Sequence, residues 1–365
     1  KNGRPVKLPL SPFQAISSPI ISTKAKLKLI KEPFVTPFEK DEFVSDFFSR
    51  RLGEEVQDYL VDPFIAGTFA GNPKQLSIKH AFPFLKQMEI EHGSIFKGFW
   101  KNRKLTDSYK RKREIVSFKG GMQELPQALE GKMSDRLILN SDVKDIIKTE
   151  KGFWVKVDQS EKAENCEFDS VIIATETGGI PHLLKRFNDH EFEDAISSIN
   201  YPPVAVLHFG VSLSKIRNPL NGFGILIPKK ENRNILGILF NSDMFPERAQ
   251  KDQALLTVFI GGARQPEIIQ QTDNLQAMAW KDVQSILKID GEPDYNHEKI
   301  YQKAIPQYTL GYDNILKQIN SMEEKNPGLF FTGNYLSGIS VQDTILNGMD
   351  CAEKTVAFLQ NESAN

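Results

Sequence analysis

Apolar residues recur at helical spacing through the first part of the chain. Between residues 20 and 30 they alternate with lysines, and Pro33 follows, which predicts a helix that ends before this proline. From residue 41 to residue 60 a stripe of apolar side chains repeats every four or five positions: Phe43, Phe47, Leu52, Val56 and Leu60. The first hundred residues are therefore predicted to be mostly helical.

The pattern changes to strands in the middle of the chain. Phe153, Val155 and Val157 alternate with other residues, as in a half-buried strand. The run SVIIATETGG at 170–179 is typical of a buried strand that stops at a glycine pair. Several further apolar runs, each bounded by turn residues, lie between residues 200 and 262. This part of the chain is predicted to be β-rich.

Helices and strands are mixed again toward the end of the chain. A helix is predicted at 273–288, and a strand at 328–334 leads through a turn into a helix at about 341–359. One face of that helix carries Ile345, Met349, Ala352, Val356 and Leu359. Elements in this order predict a mixed α/β and α+β fold with discontinuous domains. The charged stretch at 101–114 is predicted to be an exposed connection.

Length and composition restrict the class of protein. A chain of 365 residues is expected to form two or three domains. Its net charge of −1 argues against nucleic acid as a partner, since nucleic-acid-binding proteins carry a basic excess. Cys166 and Cys351 form neither a disulfide framework nor a metal motif, so no metal site is expected. The sequence contains no run of about 18 apolar residues that would span a membrane.

Three stretches combine glycines with aromatic or polar residues, and each also has a purely structural explanation. In residues 63–85 the glycines would form a break between two helices, with Phe64, Phe69 and Phe82 packed into a core. In residues 117–129 the pair Gly120–Gly121 would form a turn, or would let the chain pass close to a flat group. In residues 328–348 a glycine turn precedes a helix whose first amides could donate to a cofactor carbonyl or phosphate, or could be capped by Ser340.

Together and in this order, these stretches resemble one family, the flavin-dependent protoporphyrinogen oxidases. The resemblance covers essentially the whole chain. It rests on PF-x-x-G-x-x-AG-x-P-x-x-LS-x-x-x-AFP-x-L (63–85), F-x-GG-x-x-x-LP (118–126), GFGILIP (222–228), LGILFNS (236–242), TVFIGGAR (257–264), IPQYTLGY (305–312) and GLFFTGNYLSGISVQDTILNG (328–348). The wider flavin amine oxidases share the glycine pair and the last turn, but neither the 63–85 pattern nor IPQYTLG.

The resemblance implies a Rossmann-like FAD domain assembled from separated segments, with other domains inserted between them. Residues 1–112 would be an all-helical lobe of the membrane-binding type, and 179–308 a β-rich substrate domain. Residues 113–178 and 309–365 would be the middle and last segments of the FAD domain. The family opens with a G-x-G-x-x-G fingerprint and later carries an arginine that pairs with a substrate propionate. Neither is found in this sequence, so we expect the chain to lack that N-terminal segment and to bind FAD poorly alone.

The reaction implied is oxidation of protoporphyrinogen IX to protoporphyrin IX in haem biosynthesis, in three two-electron steps. FAD would take each electron pair and pass it to oxygen, forming hydrogen peroxide. The cofactor carries this chemistry, so no catalytic side chain is expected, and His80, His92 and His182 are interpreted as structural or surface residues.

The resemblance also implies the residues of the site. Those expected to bind FAD are Gly120, Gly121, Val143, Thr175, Glu176, Gly333, Asn334, Ile339, Ser340 and Val341. Those expected to bind the macrocycle are Gly224, Leu226, Leu236, Ile238 and Phe259, with ordinary core packing as the alternative for Leu236 and Ile238. Tyr312 stands where the family often has a histidine.

Expected partners are the tetrapyrrole, oxygen, a membrane surface and a second copy in a homodimer. Lysines beside the apolar residues at 20–30, and basic and aromatic residues together at 93–104, suit attachment to the cytoplasmic face of a bacterial inner membrane, although solvated charges explain them equally well. A coproporphyrinogen III oxidase of the same fold and a non-catalytic tetrapyrrole-binding relative are the alternatives. An amine oxidase would need an aromatic cage, for which only Tyr308 and Tyr312 are candidates.

Overall fold

A computed structural model describes residues 1–9, 14, 17–101, 115–159, 162–218, 220, 222–271 and 274–362. The chain forms two compact units, and each is assembled from two separated segments. Unit 1 comprises Lys1–Asp107 and Tyr201–Leu310, and unit 2 comprises Ser108–Asn200 and Gly311–Asn365. The connection predicted at 101–114 lies outside the described residues, except for Lys101 at the end of a helix.

The helices confirm that residues 20–101 are mostly helical, as predicted. In chain order they are α1 (Thr23–Ile30), α2 (Val44–Arg51), α3 (Glu54–Val56), α4 (Asp62–Phe69), α5 (Ile78–Ala81), α6 (Pro83–His92), α7 (Ile95–Lys101), α8 (Glu124–Met133), α9 (Ile180–Leu183), α10 (His190–Ser197), α11 (Asn241–Met244), α12 (Leu275–Leu287), α13 (Tyr312–Lys325) and α14 (Val341–Glu362). A π-helical turn, Gln57–Val61, joins α3 to α4.

The strands form three sheets among the described residues. They are β1 (Ser141–Lys148), β2 (Phe153–Gln159), β3 (Lys162–Phe168), β4 (Val171–Ile173), β5 (Val204–Ser212), β6 (Gly224–Leu226), β7 (Ile235–Phe240), β8 (Gln253–Gly261), β9 (Tyr295–Tyr301) and β10 (Leu329–Phe331). Unit 1 holds an antiparallel sheet of order β6-β7-β8-β5-β9. Unit 2 holds the antiparallel sheet β1-β2-β3 and the parallel pair β10-β4.

The stripe at 41–60 is helical in the structure, but it is not one continuous helix, because the segment is divided at Gly53. Gly53 has φ +96°, a backbone conformation that glycine adopts at little cost, and its amide bonds back to Phe48 O at 3.0 Å. Helix α2 therefore ends, and the chain restarts as α3 and the π-helical turn.

The aromatic core expected around residues 63–85 forms only in part. Phe69 is buried, and its ring centroid lies 6.0 Å from that of Phe82. Phe64 is exposed, although its ring centroid lies 6.2 Å from that of Phe82. The turn between the two helices is confirmed: α4 ends at Ala70 in the left-handed region, with φ +47°.

A buried ionic network connects the helices around Arg51, whose side chain is 0% exposed. Its Nη1 donates to Glu32 Oε1 at 2.6 Å, its Nε to Glu89 Oε1 at 2.8 Å, and its Nη2 to Gly93 O at 3.0 Å. Burial alone would raise the pKa of Glu89, but hydrogen bonds from Lys86, Arg50 and Arg51 hold it below its ordinary value. A buried charge is tolerated only when it is paired in this way, so the network fixes how these helices meet.

The five-stranded sheet packs one face against α12. Alternate residues of the strands point to that side and form a continuous core with the helix: Leu207, Phe209, Val211, Ile238, Phe240, Leu256, Val258, Ile260, Leu275, Trp280, Val283 and Leu287 are among its members. Because successive side chains of a strand point to opposite faces, the other half of the residues forms a second face of the sheet. We call this second face the open face.

Unit 2 includes residues 179–200, so the compact units divide after Asn200 and not after residue 178. Side-chain contacts explain the difference. The rings of Phe192 and Phe331 lie 5.4 Å apart between α10 and β10. Lys325 Nζ and Asp189 Oδ2 form an ion pair of 2.7 Å at the end of α13. The compact units therefore divide at a different place from the predicted domain boundary at 178/179, which stays a prediction.

Helix α14 confirms the predicted C-terminal helix, but most of its apolar face is exposed. Ile345, Met349 and Val356 are all exposed, whereas Cys351 and Thr355 are buried. Among the described residues, no helix is both long enough and apolar enough to cross a membrane.

We predict that Arg51→Met lowers the free energy of unfolding by about 3–5 kcal/mol, because it leaves Glu32 and Glu89 buried without their shared cation. Denaturation in urea, followed by tryptophan fluorescence, measures the change. Arg217→Met is the matched control in the same unit, since the ion pair of Arg217 with Asp290 is largely exposed, and it should cost less than about 1 kcal/mol. Equal effects of the two variants would contradict the prediction.

Candidate functional site

The carboxyl ends of the two parallel strands bring four of the expected cofactor residues to one edge of unit 2. Strand β10 pairs with β4 from Leu329↔Val171 to Phe331↔Ile173, and the amide of Thr332 extends the pairing to Ile173 O at 3.0 Å. Thr175 and Glu176 follow β4, and Gly333 and Asn334 follow β10. Ligands of parallel α/β sheets bind beyond the carboxyl ends of the strands. This edge is therefore the candidate cofactor site.

The turn after β10 is held in shape by its own hydrogen bonds. Asn347 Nδ2 donates to Ser337 O at 2.7 Å and to Gly333 O at 3.3 Å, and the buried hydroxyl of Tyr312 donates to Tyr335 O at 2.7 Å. Tyr312 thus supports the turn through its hydroxyl group. A Cβ on Gly333 would lie 2.6 Å from Cε1 of Tyr335, so the close approach requires glycine.

Ser340 begins α14 as a reciprocal cap. Its Oγ accepts from the amide of Asp343 at 3.0 Å, while its own amide donates to Asp343 Oδ2 at 3.3 Å. These bonds agree with the structural explanation given for Ser340. Ile339 is half-buried and Val341 is exposed.

The other expected cofactor residues lie on separate elements of unit 2. Gly120 and Gly121 form the turn before α8, where the amide of Gly120 donates to Glu124 Oε1 and Gly121 has φ +107°. Val143 lies next to a bulge in β1, the edge strand of its sheet, so part of its backbone is unpaired by the neighbouring strand.

The residues present fit the flavin end of FAD. The Oγ1 of Thr332 is buried, next to Gly333, and has no hydrogen-bond partner among the described residues. A buried hydroxyl without a partner is costly, so this atom is suited to a polar group of a ligand. It is a hydrogen-bonding group of the kind that a flavin ring requires. The fingerprint for the pyrophosphate is not in the sequence.

The open face of the sheet in unit 1 brings together three of the five expected substrate residues. Leu226 of β6 is paired with Gly237 of β7, which is paired in turn with Phe259 of β8. A neighbouring row pairs Gly224 with Leu239. Leu226, Gly224 and Phe259 are half-buried, which leaves their surfaces available to a flat apolar molecule.

Ile238 lies on the opposite face of the sheet, and its position favours the alternative of core packing that the sequence left open. It is 1% exposed and packs in the core against α12, because one residue along a strand reverses the direction of the side chain. Leu236 is also 1% exposed and lies in the bulge between Ile235 and Gly237. Leu236 is therefore not one of the half-buried residues of the open face. For both residues the alternative of core packing describes the structure.

Helix α4 covers the β6 end of the open face. A Cβ on Gly67 would lie 2.4 Å from Cδ2 of Leu226, so the helix packs directly on this side chain, which would have to shift to admit an alanine. Gln307 Nε2 donates to Phe69 O at 2.9 Å, and the amide of Ser77 donates to Tyr308 O at 2.8 Å. The 63–85 and IPQYTLGY motifs are therefore in direct contact, although more than 200 residues separate them.

The ionisable side chains differ between the β5 end and the β6 end of the open face. On the β5 side, His208 Nδ1 lies 2.9 Å from Thr257 Oγ1, and its ring centroid is 6.0 Å from that of His297. Burial lowers the pKa of His208, and the neighbouring His297 lowers it further, so His208 is neutral at pH 7. On the β6 side, burial lowers the pKa of Arg264, while Asp62 acts in the opposite direction. The described residues contain no cluster of three metal-binding side chains.

Sequence reasoning missed Asp62, Arg264 and Gln307. Arg264 Nη2 and Asp62 Oδ2 form an ion pair of 2.9 Å with both side chains buried. The signal was present, since the arginine ends TVFIGGAR and the glutamine lies in IPQYTLGY. Only the folded structure shows that Arg264 and Gln307 both form hydrogen bonds to residues of α4.

Comparison with known proteins identifies the family. The model of the flavin containing amine oxidoreductases matches residues 3–355. Protoporphyrinogen oxidase 2, chloroplastic/mitochondrial, of Arabidopsis thaliana is 35% identical over 99% of this chain and 77% of its own length. The chain belongs to the flavin-containing amine oxidoreductases, among the protoporphyrinogen oxidases. It is therefore an oxidoreductase of the flavin-dependent type with FAD as its cofactor.

Two further comparisons concern the fold and a more distant relative. A solved structure from Exiguobacterium sp. 255-15 has a TM-score of 0.76 at 17% identity and covers 100% of this chain and 77% of its own, which supports the fold. Coproporphyrinogen III oxidase of Staphylococcus aureus is 26% identical over 94% of this chain and 74% of its own length. The mixed α/β and α+β fold class and the recognised family are thus confirmed.

We predict that Ile238→Ala lowers the free energy of unfolding by about 2–5 kcal/mol, because it opens a cavity in the core against α12. The neighbouring Leu239→Ala removes a half-buried side chain from the open face and should cost clearly less. Urea denaturation of both variants checks the comparison. A larger loss for Leu239→Ala would contradict the assignment of the two faces.

Proposed function

We propose that the protein oxidises protoporphyrinogen IX to protoporphyrin IX, with FAD as electron acceptor and oxygen as the final acceptor. The observation that carries the proposal is the 35% identity to a protoporphyrinogen oxidase over 99% of the chain. We further propose that unit 1 binds the tetrapyrrole and that unit 2 binds FAD, which would supply the redox chemistry when bound. We also propose that the protein forms a homodimer.

The side chains of the open face suit this substrate. Phe259 offers an aromatic ring to a pyrrole, Leu226 an aliphatic surface, and Gly224 a backbone that allows close approach. Gly224 cannot be replaced easily, because it has φ +152° and a Cβ there would lie 2.0 Å from Ile238 O. In this proposal the protein excludes water from the macrocycle and orients it, and needs no nucleophile or general base of its own.

In unit 2 we propose that the turn at Gly333–Val341 meets the flavin ring and that Val143 presents its backbone to the adenine. The apolar face of α14 is exposed, and among the described residues the parallel sheet has only the two strands β10 and β4. Both could pack against a further segment that carries the G-x-G-x-x-G fingerprint. Sheets of parallel strands are ordinarily covered on both faces, so two strands alone form an incomplete layer. We therefore expect retention of FAD to depend on that segment.

The test is a visible spectrum during anaerobic addition of substrate. The chain is saturated with FAD, alone and fused to a segment that carries the G-x-G-x-x-G fingerprint, and receives protoporphyrinogen or coproporphyrinogen. We expect the flavin bands to bleach faster with protoporphyrinogen and to recover in air as porphyrin fluorescence increases. Faster bleaching by coproporphyrinogen would assign the protein to the activity named for the S. aureus relative. Porphyrin binding without any flavin binding would favour the non-catalytic alternative.

We also propose that unit 1 attaches to a membrane surface, with a bacterial inner membrane as the expected site. An exposed apolar patch consists of Leu27, Ile30, Phe34 and Trp100, of which Phe34 is 86% and Trp100 70% exposed. Glu32 ties this region together by accepting from Ser94 Oγ and Ile95 N, and Lys97 Nζ lies 5.9 Å from the Phe34 ring centroid. Exposed aromatics beside lysines suit an interface with anionic lipid.

We predict that Phe34→Ser and Trp100→Ser together weaken sedimentation with phosphatidylglycerol vesicles several-fold, because each buries apolar area in the interface. Phe223→Ser, which removes another exposed phenylalanine of unit 1, is the control and should bind as the unmodified protein does. Equal binding by all three proteins would remove the support for the membrane proposal.

A further inference from the structure

The guanidinium of Arg264 connects two elements that border the open face. Its Nη1 donates to Ile227 O, directly after β6, at 2.7 Å. Its Nη2 donates to Asp62 Oδ2 at 2.9 Å and to Asp62 O at 3.3 Å, at the first residue of α4. Asp62 Oδ2 also accepts from the amide of Lys229 at 2.8 Å. The start of α4 is therefore tied to the end of β6 through one buried cation.

Arg264 belongs to the turn Gly262–Arg264, which follows β8, and this turn also contacts the C-terminal end of α4. Gly262 has φ +65°, and a Cβ there would lie 2.4 Å from Ala70 O. The next amide, that of Ala263, donates to Ala70 O at 2.7 Å. Because a single turn after β8 contacts both ends of α4, the helix cannot move along or away from the sheet without breaking one of these contacts.

Between its two fixed ends α4 lies against Leu226 at Gly67. Phe259 lies on β8, three residues before Gly262, where the turn that holds the helix begins. The position of α4 therefore sets the free space above the half of the open face that carries Leu226 and Phe259. Arg264 is an unusual choice for stability alone, because its Nε is buried without a hydrogen-bond partner among the described residues.

We propose that Arg264 is a positioning residue for tetrapyrrole binding. It acts through Asp62 and the Ile227 carbonyl, which fix α4 over β6 and so set the width of the apolar surface that receives the macrocycle. This inference rests on the proposed function, since it assumes that the open face binds the tetrapyrrole.

The experiment measures binding of protoporphyrin IX to the purified full chain by quenching of tryptophan fluorescence. Arg264→Met should weaken binding about tenfold or more, a loss of about 1.4 kcal/mol. Arg233→Met is the matched control, because Arg233 Nη1 pairs with Asp282 Oδ1 at 3.1 Å and ties the opposite face of the sheet to α12. The control should leave the dissociation constant within about twofold, even if its melting temperature falls equally.

Two further variants keep the test decisive if Arg264→Met does not fold. Arg264→Lys keeps the charge but loses the fork that reaches two acceptors at once, and it should restore part of the affinity. Asp62→Asn keeps the acceptor for the amide of Lys229 and should weaken binding as Arg264→Met does. Hydrogen exchange should also become faster at residues 62–71 in each variant that weakens binding.

The outcomes separate the two proposals. If the unmodified chain does not bind protoporphyrin IX, the proposed substrate is wrong, and the role of Arg264 is wrong with it. If the unmodified chain binds but folded Arg264 variants bind equally well, only the role of Arg264 is overturned. Equal weakening by Arg233→Met would show a general effect of stability and would also overturn it.

Discussion

The constraint on which the open face depends is the pairing of a buried cation with the first turn of a helix. A guanidinium removed from water must find acceptors, and Arg264 finds them in Asp62 and in the carbonyl of Ile227. These acceptors belong to α4 and to the end of β6, so satisfying one charge aligns two elements. Gly262 completes the arrangement by allowing the backbone of the turn to touch Ala70.

Close packing around α4 accounts for Gly67 and Gly262 in the motifs of this chain. The segments 63–85, 257–264 and 305–312 meet around α4 and are held by backbone hydrogen bonds, such as that of Ala263 with Ala70. In the proposed function the macrocycle is held flat and away from water, and the cofactor supplies the redox chemistry. Close backbone contact serves that need better than nucleophiles do, and it requires glycine at the points of contact.

Unit 2 follows a different principle. Its candidate site lies at the carboxyl edge of a parallel pair, where Gly333 and Asn334 follow one strand and Thr175 and Glu176 follow the other. The supporting groups lie behind the turn: the Tyr312 hydroxyl and the Asn347 amide hold its carbonyls, and Ser340 caps the helix that follows. A rigid turn of this kind presents amides and the hydroxyl of Thr332 in fixed directions.

The sequence by itself determined the family, the fold class and most elements, because periodicity and glycine-rich motifs are local properties of the chain. It also identified Gly224, Leu226 and Phe259, which share the open face. It could not separate Ile238 from them, since facing direction depends on strand register, and the bulge at Leu236 shifts that register. It could not divide the 41–60 stripe at Gly53, or assign a partner to Arg264. Tertiary structure alone decided these points, because a buried charge and a helix end are defined by what the rest of the chain places beside them.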